Sequence, residues 1–301
     1  MIKRSLVCGV LLAFLIGVLC AQETPPPADD PFQLALVLKS AREYCRRLEA
    51  AALDFICLEE VTEKVDLSRE NVRSNVVQVP TERVITGAGS GGPPELRFET
   101  NVAVKRNSEC LYDYQFVRRV GKIKEKRTLL ERDGKKVLPD APVPANKAFN
   151  YSDILLAPVQ LLDDRFSEYY AYRLLGRETV GGTDAWVLEV APRLTGVARY
   201  LGAKLWLKTD DASVLRIEWD PTTFGHYEAI LARAKAFKAE PELRSVTEFA
   251  VEKNGLRFPS ADLTEESYRG ADGKLFVRAR TNVVYKDHRF FTVETEATFK
   301  K

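Results

Sequence analysis

Between Tyr172 and Trp219 the chain alternates apolar and polar residues in short runs broken by turn residues. "YRLLGRETVGGTDAWVLEVAPR" reads as a strand, a Val-Gly-Gly-Thr-Asp turn and a second strand, and "KLWLKTDDASVLRIEW" repeats the pattern around Asp-Asp-Ala-Ser. In "SVLRIEW" the alternation predicts Leu215, Ile217 and Trp219 on one face, with Arg216 and Glu218 on the other. In "RFFTVETEATF", Phe291, Val293, Thr295, Ala297 and Phe299 oppose Thr292, Glu294, Glu296 and Thr298 in the same way. Upstream, "NVVQVPTERVI", "ELRFETNVAVKR" and "CLYDYQFVRRV" alternate or run β-branched and aromatic. "TGAGSGGPP" and "GK" separate them, so they read as an antiparallel meander. Asn254-Gly255 and Asp272-Gly273 mark two further turns.

Helical spacing appears in three places. Asp29 or Asp30 can cap a helix with Pro31 at its first position, and Leu34, Leu38, Ala41, Cys45, Leu48, Ala52 and Phe55 form a stripe. The pattern predicts one long helix over 31–64. "YSDILLAPVQLLDDRF" predicts a short helix capped by Ser152, with Leu155, Leu156, Val159 and Leu162 on its apolar side and a break or kink at Pro158. "HYEAILARAKAFKAEPE" places Tyr227, Ile230, Ala234 and Phe237 on one helical face. Together these elements predict an α+β fold: a large curved antiparallel β-sheet, an incomplete barrel, with helices on its concave face, as one domain over 31–301.

The amino terminus changes the expected compartment. Lys3 and Arg4 precede the apolar run Leu6 to Leu19, and "CAQETPPPADDP" follows in small, polar and proline residues. This is the layout of a signal peptide over 1–21, with a flexible spacer over 22–30. The run is short for a membrane span, which needs roughly 20 apolar residues. Bulky Leu19 in "GVLC" stands where a lipobox has a small residue, which disfavours a lipid anchor at Cys20. The protein is therefore expected to be periplasmic or otherwise extracytoplasmic, with no transmembrane segment in the mature chain.

Removing Lys3 and Arg4 with that segment leaves 43 basic residues against 43 acidic ones, a neutral chain that argues against nucleic acid as partner. Cys45, Cys57 and Cys110 remain. On one helix Cys45 and Cys57 would stand about 18 Å apart, so any bridge must use Cys110, with Cys57 the expected partner. The alternative is three small buried thiols.

Candidate chemistry is sparse. His226 and His288 stand far apart without metal spacing, no Cys-x-x-Cys and no Gly-x-Ser-x-Gly occur, and "GAGSGG" lacks the Lys-Ser/Thr of a phosphate loop. The pairs Asp163-Asp164, Asp210-Asp211 and Glu265-Glu266 read as solvated turn or helix-end residues. Neither catalysis nor a metal or other cofactor is expected. "RRVGKIKEKR" is the one dense basic stretch: Arg118, Arg119, Lys122, Lys124, Lys126 and Arg127. It reads as a charged hairpin edge, or as a patch for anionic headgroups or an acidic envelope partner.

At "YAYRLLGRETVGGTDAWVLEVAPR … KLWLKTDDASVLRIEW" the chain resembles the outer-membrane lipoprotein-sorting superfamily, the LolA, LolB and RseB-like proteins. The shared grammar is Leu-x-Gly-x-Glu-x-Val-x-Gly, a strand ending in x-Pro, a Leu-Trp-Leu-Lys strand, an acidic turn and a strand leading to Ile-Glu. The resemblance implies an incomplete antiparallel barrel whose concave side is filled by helices and offers an apolar cavity for acyl chains. It carries over no single ligand-binding residue. The expected function is a non-catalytic carrier or sensor of a lipid or lipoprotein acyl chain. Its cavity would be lined by Leu155, Leu156, Val159 and Leu162 from the short helix, and by Trp186, Leu188, Leu215, Ile217 and Trp219 from the sheet. The alternative is an envelope scaffold with a self-filled core that recognises a protein partner through the basic ribbon.

Overall fold

The computed structural model describes residues 30–70, 105–119, 122–138, 141, 149, 153–194 and 200–291. The expected signal segment and most of the expected spacer, the strands expected between 71 and 104, the loop at 87–92, Ser152 and the chain beyond Phe291 lie outside the described residues.

Asp30 accepts a hydrogen bond from the Phe32 N–H at 2.9 Å and caps α1 (Pro31–Ala51), which buries Val37, Leu38, Ala41, Tyr44, Cys45 and Leu48. The helix does not run on to Lys64. A 3-10 turn (Ala52–Asp54) leads into β1 (Phe55–Asp66), because Phe55, Cys57, Glu59 and Val61 alternate inward while Ile56, Val61, Thr62 and Val65 favour extended backbone.

β2 (Lys105–Arg119), β3 (Lys122–Arg132) and the short β4 (Lys135–Lys136) continue the meander. α2 (Ala157–Leu162) follows a 3-10 turn at Ile154–Leu156 and precedes another at Asp164–Tyr169. Pro158 sits in its first turn, where a missing N–H costs nothing, so the expected kink is instead a helix start. A second meander holds β5 (Tyr170–Val180), β6 (Thr183–Pro192), β7 (Ala203–Lys208) and β8 (Val214–Trp219). α3 (Tyr227–Phe237) ends at Lys238 in the left-handed region, so "AEPE" opens β9 (Ala239–Glu248) instead of prolonging the helix. A hairpin of β10 (Val251–Lys253) and β11 (Leu256–Phe258) turns through Asn254 and Gly255, both at positive φ. β12 (Ala261–Gly270) and β13 (Leu275–Phe290) complete the chain.

Among the described residues the main sheet is eleven-stranded, in the order β4-β3-β2-β1-β13-β12-β9-β8-β7-β6-β5. Every neighbouring pair is antiparallel, and the curved sheet does not close. α1, α2 and the β10–β11 hairpin pack into one core on one face. α3 lies on the same face: its Ile230 and Ala234 pack on Tyr268, which alternates in step with Asp262, and Asp262 stands opposite core residue Val283. This is the expected α+β architecture.

The cysteines correct another expectation. Cys57 lies on β1 opposite Tyr114, while Cys110 on β2 lies opposite Val61. They are four residues apart along the ladder, about 13 Å, beyond disulfide reach. Cys45, Cys57 and Cys110 are free and buried. The Cys45 thiol donates to the Pro158 carbonyl at 3.4 Å, and burial pushes both the Cys45 and Cys57 thiols up from their ordinary range. In protein lacking residues 1–21, a thiol reagent should label none of these cysteines in the native state and all of them in guanidinium. A bridged peptide in a non-reducing map would contradict this.

Candidate functional site

The short-helix residues and the sheet residues predicted to line a cavity do meet. Leu155, Val159 and Leu162 are buried, Leu156 is half-buried, and all pack in the core that holds Trp186, Leu188, Ile217 and Trp219. Leu215 does not join them. The register of β7 and β8 shifts between Trp206 and Leu207, which pair with Arg216 and Val214. Val214 therefore takes the inward position, and Leu215 turns to the opposite face with Ala185, Val187 and Trp206. A bulge of this kind reverses the face of one residue, which alternation alone does not reveal.

The described apolar half of the concave face is occupied by the protein's own side chains. Leu155, Leu162, Leu188 and Leu205 are all 0% exposed. α2 is held by polar ties as well as by packing. The Tyr172 hydroxyl donates to the Leu161 carbonyl at 2.9 Å, Arg42 pairs with Asp164 at 2.8 Å, and Arg165 bridges Asp163 at 2.8 Å and Glu49 at 2.7 Å.

Beside this apolar half runs a buried polar belt that sequence reasoning missed. Thr247 on β9 faces Asp262 on β12; Asp262 faces Val283 on β13, and Tyr285, next on that face, stands opposite Glu59 on β1. One row further, Ser245, Thr264, Thr281 and Glu63 stand opposite one another across the same four strands. Thr247, Asp262, Glu59, Ser245, Thr264 and Thr281 are buried. Trp219 Nε1 donates to Thr247 Oγ1 at 3.0 Å, Thr247 Oγ1 donates to Asp262 Oδ1 at 2.5 Å, and Ser245 and Thr264 share a hydrogen bond of 2.9 Å. The Tyr285 hydroxyl and Thr281 Oγ1 are buried without a hydrogen-bond partner. Leaving such a group unpaired costs about 1–3 kcal/mol. Burial pushes the Asp262 carboxyl up to about 6, with the Thr247 bond opposing and the Glu59 charge adding to the rise. The signal lay in "RSVTE", "ADLTEE" and "RARTNVVY", where alternate residues on one face are polar; without the register, nothing marks that face as the inner one.

Arg127, counted in the basic ribbon, belongs inside. Ile123, Glu125, Arg127 and Leu129 alternate toward the concave face, while Lys124 and Lys126 point outward and are exposed. Arg127 donates through Nη2 to Glu59 at 2.9 Å, also pairs with Glu125, and lies over the Tyr114 ring. Glu125 in turn accepts from the Tyr114 hydroxyl at 2.8 Å and from the Asp153 N–H at 3.0 Å. Burial raises the Glu125 carboxyl against the pull of Arg127. The side chains of Arg118, Arg119 and Lys122 lie outside the described residues.

The pair Glu265-Glu266 is not a solvated turn. It sits mid-strand, with Glu265 paired to Arg280 and Glu266 buried, bonded to Arg233 at 2.9 Å and Arg278 at 3.2 Å. His288 Nε2 lies 3.1 Å from the Pro259 carbonyl, and His226 lies against Phe149 and Phe224. Burial lowers both imidazoles. Among the described residues no three His, Cys, Asp or Glu side chains converge as metal ligands.

No protein-family model matches the chain, and no curated protein does. Among solved structures it is similar to a DUF1329 family protein from Desulfovibrio piger, with 14% identity, a TM-score of 0.38, and coverage of 87% of this chain and 97% of that one. It is similar to a LolA superfamily protein from Nitrosomonas europaea, with 12% identity, a TM-score of 0.33, and coverage of 86% and 94%. A domain from Vibrio parahaemolyticus, named as an outer membrane lipoprotein-sorting protein, gives 13% identity, a TM-score of 0.38, and coverage of 86% and 94%. Likenesses this distant do not say what the chain binds.

Two measurements probe the concave face. Arg127→Ala should destabilise by about 3–5 kcal/mol, since it leaves buried Glu59 unpaired, whereas Lys124→Ala and Lys126→Ala should stay within about 0.5 kcal/mol in urea melts. Asp262 has a folded pKa above its unfolded value, so its ionisation opposes folding above pH 6, and stability returns as pH falls from 6 toward 4. The difference between wild type and Asp262→Asn should therefore move by up to about 3 kcal/mol in favour of wild type over that window. A pH-independent difference would contradict the raised pKa.

Proposed function

We propose that this protein is an extracytoplasmic, non-catalytic binding protein that holds an amphiphile, a lipid or a lipoprotein acyl chain, between its sheet and its helices. The observation that carries this reading is that the covered face is itself amphipathic. An apolar half under α1 and α2 adjoins the buried polar belt, and Trp219 on β8 links the two through Thr247. An acyl chain would lie in the apolar half, gaining about 0.8 kcal/mol for each methylene buried. Leu155, Leu156, Val159 and Leu162 on the α2 side, with Trp186, Leu188, Ile217 and Trp219 below, would be its contacts once α2 swings away. The structure then corresponds to the closed state, in which α2 fills the place of the chain. Export by residues 1–21 puts the protein where such ligands are, and no described helix is long and apolar enough to cross a membrane.

A second reading has its own observation. Complete burial of Leu155, Leu162, Leu188 and Leu205 also fits a scaffold with a self-filled core. In that case exposed Lys124 and Lys126 remain as the contact for an acidic envelope partner.

Native mass spectrometry of periplasmic protein and titration with a fluorescent fatty-alcohol analogue separate the two. The carrier reading expects co-purified lipid and saturable binding. It also expects Arg165→Ala, which cuts the exposed tie between α2's flank and α1, to speed association several-fold while costing less than about 1 kcal/mol of stability. Protein free of lipid that binds no analogue would leave the scaffold reading in its place.

A further inference from the structure

We propose that the polar belt around Asp262 is a headgroup subsite for an ammonium group, so that the amphiphile this protein prefers carries an amine and not a carboxylate or phosphate. This inference rests on the amphiphile reading above and adds the chemistry of the ligand's polar end.

Three observations carry it. The belt has hydrogen-bonding capacity that the described residues do not use: Asp262, 3% exposed, accepts a single hydrogen bond, from Thr247, and the Tyr285 hydroxyl, also 3% exposed, has no partner at all. Those groups lie together, for Tyr285 stands opposite Glu59 on the neighbouring strand and one step from Val283, the residue facing Asp262, and its hydroxyl feels both carboxylates, with Arg127 opposing them. Finally, the local charge is negative. Arg127 is already bound by Glu59 and Glu125, and Arg233 and Arg278 are bound by Glu266 farther along the sheet. Among the described residues Asp262 therefore faces no cation of its own.

An ammonium group answers all three. It brings a positive charge to a buried carboxylate and three donors to acceptors on Asp262 and Tyr285, whereas a hydroxyl brings one donor and no charge. A fatty-acid carboxylate or a phosphate would be held against the uncompensated Asp262 carboxylate in a dry site and repelled. The neighbouring Thr281 Oγ1, 1% exposed and unpartnered, offers a further acceptor on the same face.

The test compares four probes by competition at pH 7.5, below their micelle concentrations: dodecylamine, dodecanol, dodecanoate and the short-chain butylamine. Dodecylamine should bind at least tenfold more tightly than dodecanol, dodecanoate should bind more weakly than either, and butylamine should not bind measurably. Asp262→Asn should bring dodecylamine down to the dodecanol level. Tyr285→Phe removes a hydroxyl that bonds to no described residue, so it should melt at or above the wild-type temperature while losing part of the amine preference, which guards against reading misfolding as lost binding. Equal binding of the three long-chain probes, or tighter dodecanoate, would overturn the headgroup assignment and leave amphiphile binding intact. Butylamine binding as tightly as dodecylamine would keep the ammonium site and remove the acyl-chain reading. No binding of any probe would remove both.

Discussion

The pairing of β1 with β13 holds this structure together. These strands come from opposite ends of the described chain, Phe55–Asp66 and Leu275–Phe290, and meet in the interior of the sheet. On one side of the junction lies the meander β1 to β4, and on the other the run from β12 through β9 to β5. Without it there would be two smaller sheets, each with a long unpaired edge. Such a junction joins residues far apart in sequence, so it pays its loop-closure entropy before most of its contacts form. Its register matters as much as its existence, because a slip of one residue would turn Glu59, Val61, Tyr285 and Val283 to solvent.

That register also creates the polar belt. Glu59, Tyr285 and Asp262 come from three different strands, and Thr247 from a fourth, yet the ladder sets them side by side on the covered face. Glu59 is compensated by Arg127, which arrives from β3 and is itself shared with Glu125. Among the described residues Asp262 and Tyr285 lack such a counterpart. Buried polar groups that are not satisfied within the fold lower stability, so their retention at the centre of the covered face sets them apart from ordinary core. The belt also divides that face, with the large apolar core under α1 and α2 on one side and the smaller cluster under α3 on the other.

The two halves of the face differ in how they could yield. α3 sits over Tyr268 and is tied to buried Glu266 through Arg233 Nε. α2 is only one and a half turns long by its spacing of about 3.6 residues per turn, and its flanking ion pairs with α1 are partly exposed. Exposed pairs contribute little to stability and exchange readily with water. The tight packing of Leu155 and Leu162 therefore supplies most of what keeps α2 in place, and an acyl chain entering the same space would compete for that same apolar surface.

Much of the fold can be read directly from the chain. Alternation in "DAWVLEV" and "KLWLK" specifies strands, Asn254-Gly255 and Gly181-Gly182 take the positive φ that tight hairpins need, and Asp30-Pro31 starts α1 where expected. These are local effects, in which a residue's shape or hydrogen-bonding groups act on its own backbone. The errors have a common cause. At Phe55–Lys64 helical spacing and alternation overlap, and only pairing with β2 and β13 makes the extended form prevail. Leu215 turned outward because a bulge against β7 advanced the alternation by one, and half-buried Arg127 and buried Glu266 proved to point inward because their strands presented that face to the helices. A period of two divides a strand into two faces without saying which is covered; long-range register supplies that choice, and here it assembled the polar belt from residues that look unremarkable one strand at a time.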